Sequence, residues 1–71
     1  METITITTEF IRLQDLMKLA NLVSSGGEAK MLIQNGQVTV NGVICLQRGK
    51  KLRPGDVVQY AGRTCTAAYA S

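Results

Sequence analysis

The sequence predicts a small α+β domain, and three observations support this. Residues 1–8 alternate between β-branched apolar and polar side chains, which is typical of a strand with one buried face. Two segments with the apolar period of a helix follow, and the remaining chain returns to short alternating segments separated by turns. One strand, two helices and several further strands is an α+β order. With 71 residues, the chain is predicted to be a single domain over 1–71.

The first helix is predicted over residues 9–22. One face of this segment carries apolar residues at positions i, i+3, i+4 and i+7, which are Leu13, Leu16, Met17 and Ala20. Asn21 tolerates a left-handed backbone and is expected to end the helix.

The second helix is predicted to begin after Ser25. Ser25 and Glu28 have the spacing of a capping box, in which each side chain satisfies a free backbone N–H of the first turn. An apolar stripe follows at i, i+3 and i+4, formed by Ala29, Leu32 and Ile33. Asn35-Gly36 can adopt a positive φ and is expected to end this helix.

The second half of the chain is predicted to form strands joined by tight turns. Val38 to Val40 alternates as a strand, and Asn41-Gly42 is a strong hairpin signal. Residues 43–46 are apolar enough for the returning strand. Arg53-Pro54-Gly55-Asp56 places Pro and Gly at the two central positions of a type II turn. Further strands are expected over 57–60 and 63–69.

Several classes of function are disfavoured by composition. The chain has no His, so the usual general base near neutral pH is absent, and no catalytic residues are predicted. Cys45 and Cys65 are the two cysteines, and with no His beside them a zinc site and other metal sites are not expected. We predict no cofactor. No apolar run approaches the length that spans a bilayer, so we expect no membrane contact and a soluble cytoplasmic protein.

The positive charge of the chain is concentrated in one segment. The formal net charge is +3, and four of the eight basic residues lie within six positions, at Arg48, Lys50, Lys51 and Arg53. Gly26-Gly27 in the first turn of the second helix would leave backbone N–H groups open to an anion such as a phosphate. The same pair could equally make a tight start to the helix, and the residues alone leave both interpretations open.

A series of motifs identifies the chain as similar to a known family. In chain order they are Arg12-Leu13…Leu16…Leu19, Ser25…Glu28-Ala29…Leu32-Ile33, Gly36…Val38…Val40-Asn41-Gly42 and Lys51…Pro54-Gly55-Asp56-Val57. This series resembles the RNA-binding domain named after ribosomal protein S4, over about residues 10–60. The short length and the Gly26-to-Lys30 segment resemble its free-standing bacterial YbcJ-type branch.

The resemblance implies a fold and a binding surface. In that family two short helices and a β-hairpin form the αL motif, here extended by short strands from the N- and C-terminal segments, and one face binds structured RNA. Many members carry an arginine just after the second-helix serine, where this chain has glycines, so only backbone amides would contact phosphate there. Including Lys18 as a further helix cation, the candidate RNA-binding residues are Arg12, Lys18, Ser25, Gly26, Gly27, Lys30, Asn41, Arg48, Lys50, Lys51 and Arg53.

The resemblance therefore predicts an RNA-binding protein that recognises ribosomal RNA, a ribosomal particle or tRNA, and that is not an enzyme. One alternative is a β-grasp sulfur carrier, which shares a Val-Asn-Gly turn. That chemistry needs a C-terminal Gly-Gly, whereas this sequence ends Tyr69-Ala70-Ser71. A second alternative is a ribosome-associated protein–protein adaptor. No exposed apolar stripe is recognisable in the sequence, so a monomer is predicted.

Overall fold

The computed structural model describes residues 2–70 and confirms the α+β class. The elements in chain order are β1 (Glu2–Ile6), β2 (Ile11–Arg12), α1 (Leu13–Leu19), α2 (Gly26–Gln34), β3 (Thr39–Val40), β4 (Val43–Ile44), β5 (Lys51–Leu52), β6 (Val57–Tyr60) and β7 (Arg63–Tyr69). The two predicted helices and the predicted β3–β4 hairpin are all present.

The strands form one larger sheet and one short ribbon. The five-stranded sheet has the order β1-β7-β6-β3-β4, and β2 pairs with β5 in a separate two-stranded ribbon. β1 runs parallel to β7, whereas the pairs β6–β7, β3–β6 and β3–β4 are antiparallel. The N-terminal strand therefore closes one edge of the sheet, and β4 forms the other edge.

The hydrophobic core lies between the helices and the sheet. Its buried members come from both helices, from β3, β5 and β6 and from the loops: Leu13, Leu16, Met17, Val23, Ala29, Ile33, Val38, Val40, Leu52 and Val58. Leu32 of the predicted second helix face is only partly buried and packs against this cluster. Among residues 2–70, no polar or charged residue is buried. The polar side chains are thus on the surface, where they are available for contacts with other molecules.

The predicted bounds of the first helix are wrong at its start. α1 begins at Leu13 rather than at residue 9, and the residues just before it form β2. The reason is a long-range contact: Ile11 pairs with Leu52 and Arg12 with Lys51, which holds this segment extended. The same pairing makes Lys51 part of a strand, β5, which was not predicted from the sequence. Asn21 has the predicted left-handed backbone, with φ 60°, but the last helical residue is Leu19 rather than residue 22.

The predicted turns have the expected backbone geometry. Asn41 and Gly42 have φ values of 52° and 83°, the double positive φ of a type I′ hairpin turn. Gly55 has φ 99°, as the third position of a type II turn requires. The sharp reversals between β3 and β4 and before β6 therefore follow from local sequence.

Arg63 links α1 to the far edge of the sheet. Its Nη2 donates to both carboxylate oxygens of Glu2 at 2.7 Å and to the Ala20 carbonyl at 3.1 Å, and Nη1 donates to the Asn21 carbonyl at 3.3 Å. A guanidinium at a helix C-terminus satisfies free carbonyls and interacts favourably with the helix dipole. This basic residue is therefore engaged within the fold.

Asp56 joins the β3–β4 hairpin to the turn before β6. Its carboxylate accepts a hydrogen bond from the Arg53 amide at 2.8 Å and from Asn41 Nδ2 at 3.1 Å. The Asn41 Oδ1 atom accepts from the Val57 amide at 2.9 Å. The Arg53 amide, followed by the Asn41 side chain, lowers the pKa of Asp56 from its ordinary value of 3.8.

Replacing Asp56 with Asn is expected to lower the thermal midpoint near neutral pH but not in strong acid. A lowered folded-state pKa gives stabilisation that is complete above the unfolded-state pKa and is lost as the pH falls through the folded-state value. Differential scanning calorimetry at about pH 7 and about pH 2 compares wild type and Asp56→Asn in the two limits. The thermal midpoint of Asp56→Asn should lie below that of wild type at about pH 7 and should equal it at about pH 2.

Glu9→Gln is the matched control, because Glu9 makes no hydrogen bond or ion pair among residues 2–70. It should leave the midpoint near that of wild type in both conditions. An equal deficit of Asp56→Asn at both pH values would show that the carboxylate charge is not the stabilising feature.

Candidate nucleic-acid interface

Four cationic residues meet where α1 begins. The Leu13 amide donates to the Lys50 carbonyl at 2.9 Å, and the Gln14 amide donates to the Arg48 carbonyl at 3.1 Å. The β2–β5 ribbon places Arg12 opposite Lys51. Two segments about 36 residues apart in sequence are thereby joined by backbone bonds. We refer to Arg12, Arg48, Lys50 and Lys51 as the cation junction.

The Phe10 ring lies against Lys51 of the cation junction. The Nζ atom of Lys51 lies 4.8 Å from the centre of the Phe10 ring, a cation–π arrangement. The aliphatic part of the lysine can lie along the ring while the charge remains accessible. All four residues of the junction are classed as exposed, so their charges face solvent.

Asn41 and Arg53 form a second group beside the junction. Both are held by Asp56, Asn41 through its side chain and Arg53 through its backbone amide. Asn41 and Lys50 line the same groove, so this group borders the junction. The Asn41 side chain donates to Asp56 and accepts from the Val57 amide, and its contact with RNA stays a prediction. The Arg53 side chain makes no ion pair among residues 2–70.

The start of α2 carries a third group, formed by Ser25, Gly26, Gly27 and Lys30. Ser25 is the N-cap, and its Oγ accepts from the Glu28 amide at 3.2 Å, as predicted. The return bond of the capping box is shifted by one residue, because Glu28 Oε1 accepts from the Ser24 amide at 2.8 Å. The amides of Gly26 and Gly27 have no hydrogen-bond acceptor among residues 2–70.

Gly26 also leaves open space at this helix start. A Cβ atom built on Gly26 would meet nothing within 4 Å, and one built on Gly27 would meet only Ser25 Oγ, at 3.9 Å. A ligand can therefore come close to these two amides. The Glu28 carboxylate lies at the same helix end and opposes the approach of an anion, so this group favours phosphate less than the cation junction does.

Lys18 is engaged by a neighbour on its own helix. Its Nζ atom lies 3.3 Å from an Asp15 carboxylate oxygen, and both side chains are 44% exposed. Exposed pairs of this kind contribute little stability, so the lysine can be drawn away by a stronger anion at small cost. Asp15 and Arg12 line the same groove, so the Lys18–Asp15 pair lies near one edge of the cation junction.

The surface charge is unevenly distributed along the chain. No Asp or Glu lies between Glu28 and Asp56, whereas this interval holds Lys30 and the four cations from Arg48 to Arg53. Within residues 2–70, ion pairs engage only Lys18 and Arg63 among the basic residues. Along the chain, α1 and the connection after it lie between the junction and the start of α2. The seven residues of α1 span about 10 Å.

Sequence reasoning missed three features of this surface: the β2–β5 ribbon, the Lys51–Phe10 contact and the engagement of Arg63. Each depends on a partner distant in sequence, so no local pattern signals it. The described part of the chain contains no group of three or more His, Cys, Asp or Glu side chains that could hold a metal ion. No helix over residues 2–70 is long and apolar enough to cross a membrane.

Sequence comparisons find a matching family model and similar proteins in two bacteria. A family model described as the S4 domain matches residues 4–67. RlbA of Bacillus subtilis (strain 168), named a probable ribosome maturation protein, is 44% identical over 59 residues, which cover 83% of each chain. YbcJ of Escherichia coli (strain K12) is 37% identical over 54 residues, covering 76% of this chain and 77% of its own.

The structural comparison agrees with the sequence comparison. The solution structure of YbcJ from E. coli superposes with a TM-score of 0.73 and 32% sequence identity, covering 96% of this chain and 87% of the other. That structure is described as revealing an αL motif involved in RNA binding. The αL architecture expected from the sequence is thereby confirmed.

Replacing Ser25 with Ala is expected to lower the free energy of unfolding by about 1 kcal/mol, because the Glu28 amide loses its acceptor. For a domain of this size the thermal midpoint should fall by about 4–8 °C. Ser25→Gly is the matched control, since glycine at an N-cap costs only about a few tenths of a kcal/mol. Equal midpoints for the two variants would show that the Ser25 cap does not stabilise α2.

Proposed function

We propose that this chain, which belongs to the S4 domain family, binds structured RNA through the cation junction and the surface beside it. The observation that carries the proposal is the pair of backbone bonds from the first turn of α1 to the Arg48 and Lys50 carbonyls. These bonds bring the backbone of four exposed cationic residues together, and none of the four side chains makes an ion pair among residues 2–70. Such a cluster is the footprint that a phosphate backbone requires.

Binding would rest on phosphate contacts held by a rigid scaffold. The junction cations neutralise phosphates, and Arg53 and Lys30 extend the positive surface on either side. The open amides of Gly26 and Gly27 offer a further phosphate contact at the start of α2. Contacts to phosphates and sugars position an RNA without reading its bases, so the shape of a folded RNA would set the preference.

The relatives favour a ribosomal target. RlbA is named a probable ribosome maturation protein, which supports ribosomal RNA or a ribosomal particle over tRNA as the ligand. We propose a monomeric protein that acts in the cytoplasm on this RNA. Its binding would need no cofactor or metal ion, and no catalytic step is part of the proposal.

Binding to a structured ribosomal RNA fragment is expected to weaken steeply with salt. Neutralising about four or five phosphates predicts a loss of affinity of about a hundredfold when the salt concentration rises about fourfold. Replacing Lys50 and Lys51 with Gln should weaken binding and should lower the slope of log affinity against log salt by about one for each phosphate contact removed. Fluorescence anisotropy over a salt series measures both quantities.

The charge-preserving variant Lys50→Arg/Lys51→Arg is the control and should keep the wild-type slope. Undetectable binding of wild type at low salt, or affinity that does not change with salt, would rule out the proposed function. An unchanged slope in the Gln variant would instead show that the phosphate contacts lie outside the cation junction.

Replacing Gly26 with Ala separates the two interpretations of the glycine pair. The added methyl meets no atom within 4 Å, and alanine favours the helix, so the thermal midpoint should rise or stay the same. If a phosphate contacts the bare backbone here, RNA affinity should nevertheless fall, because the methyl group lies in its path. Unchanged RNA affinity in the same anisotropy assay would identify the pair as a helix start without an RNA contact.

A further inference from the structure

We propose that the open edge of β4 binds an extended, acidic segment of a partner protein, which adds a strand to the five-stranded sheet. This binding site borders the RNA surface and shares Asn41 and Lys50 with it, but its strand edge and its aliphatic side chains are not among the proposed RNA contacts. Its elements are an unpaired strand edge, an exposed apolar groove and a local excess of positive charge.

The strand edge is open at Ile44. β4 is the last strand of the sheet order, and its inner partner is β3, with Val40 opposite Val43 and Thr39 opposite Ile44. The Cys45 amide donates to the Val38 carbonyl at 3.0 Å. Because backbone groups alternate in direction along a strand, the N–H and C=O of Ile44 point away from β3. They are therefore placed to pair with another extended chain.

Large aliphatic side chains surround this edge. Val43, Ile44 and Leu46 are 69%, 60% and 59% exposed. With Val40 and Cys45 they line a groove of about 440 Å³. The sequence-based expectation of no exposed apolar stripe is thus wrong, because β4 is a two-residue edge strand with no further strand to cover its outer side. Burial of such side chains in a complex is favourable.

The charge beside the groove selects the kind of partner. Lys50 lines the groove. The Asp56 carboxylate lies nearby, hydrogen-bonded to Asn41 of the lining. Its hydrogen bonds are the main cause of its lowered pKa, but Lys50 and Arg53 are both close enough to lower that pKa further, so positive charge exceeds negative charge beside the groove. A second copy of this chain would bring like charges together, which disfavours self-association through this edge. Aromatic residues, on which unpaired RNA bases stack, are absent from the lining. A peptide strand with apolar residues on one face and carboxylates near Lys50 fits all three features.

Selection of short linear peptides by display on the full chain tests this proposal. The selected peptides are expected to carry Asp or Glu and an alternating apolar pattern. Methylation of alternate backbone nitrogens in a selected peptide should abolish its binding, because strand addition needs the peptide N–H groups. This measurement uses wild-type protein and does not depend on the folding of a variant.

Ile44→Pro is the matched protein variant. Proline at position 44 removes the outward N–H but no hydrogen bond to β3. Edge strands tolerate proline where the N–H faces solvent. Peptide affinity should fall about tenfold, whereas Ile44→Val, which keeps the N–H and the branched side chain, should bind nearly as wild type. Thermal melting of both variants verifies the fold.

RNA affinity provides an independent readout, since Ile44 is not among the proposed RNA contacts and both variants should bind RNA as wild type does. Failure of the RNA measurements and failure of this proposal are therefore distinguishable. The proposal is overturned if no peptide is enriched, if the selected peptides lack acidic residues, or if they bind after N-methylation or to Ile44→Pro with unchanged affinity. The proposal is also overturned if selection yields an RNA aptamer whose affinity falls in Ile44→Pro but not in Ile44→Val. That result would assign the groove to RNA.

Discussion

The first turn of α1 depends on two carbonyl groups that come from the other half of the chain. α1 has seven residues and its N-cap, Arg12, makes no side-chain cap bond. Helices of this length are not stable alone in water. The Lys50 and Arg48 carbonyls accept from the Leu13 and Gln14 amides, and the β2–β5 ribbon continues the contact on the extended side. The same bonds that begin the helix therefore also position the cationic residues, so folding and the formation of the proposed binding surface are one event.

The charged residues divide into those that hold the fold together and those that remain available. Arg63 binds Glu2 and the C-terminal carbonyls of α1, and Asp56 binds the hairpin and the turn before β6. Two of the five carboxylates, those of Glu2 and Asp56, thus join elements, whereas the cations from Arg48 to Arg53 have no carboxylate in their interval of the chain. A modest net charge of +3 therefore understates how positive this one surface is.

Lys50 connects two neighbouring parts of the surface with different chemistry. Its carbonyl caps α1, and its side chain lines the groove along β4. On one side the surface is cationic and suited to phosphates, and on the other it is aliphatic with an open strand edge. The two proposed binding sites, one for RNA and one for a protein segment, would therefore lie side by side on this small domain.

The sequence by itself determined the features whose physical causes are local. The Ser25 cap, the two apolar helix faces, the Asn41-Gly42 hairpin and the type II turn at Gly55 each follow from residues within a few positions of one another. The motif series was also sufficient to identify the family, because it depends on order and spacing.

Only the tertiary structure decided the features that need a distant partner. The parallel pairing of β1 with β7, the true start of α1 and the β2–β5 ribbon join segments that carry no signal for each other. The same holds for the site: the sequence named the cations, but backbone bonds across the fold brought four of them together and left the β4 edge open. The physical reason is that a backbone amide can pair with any carbonyl, so its partner is chosen by the packing of the whole chain.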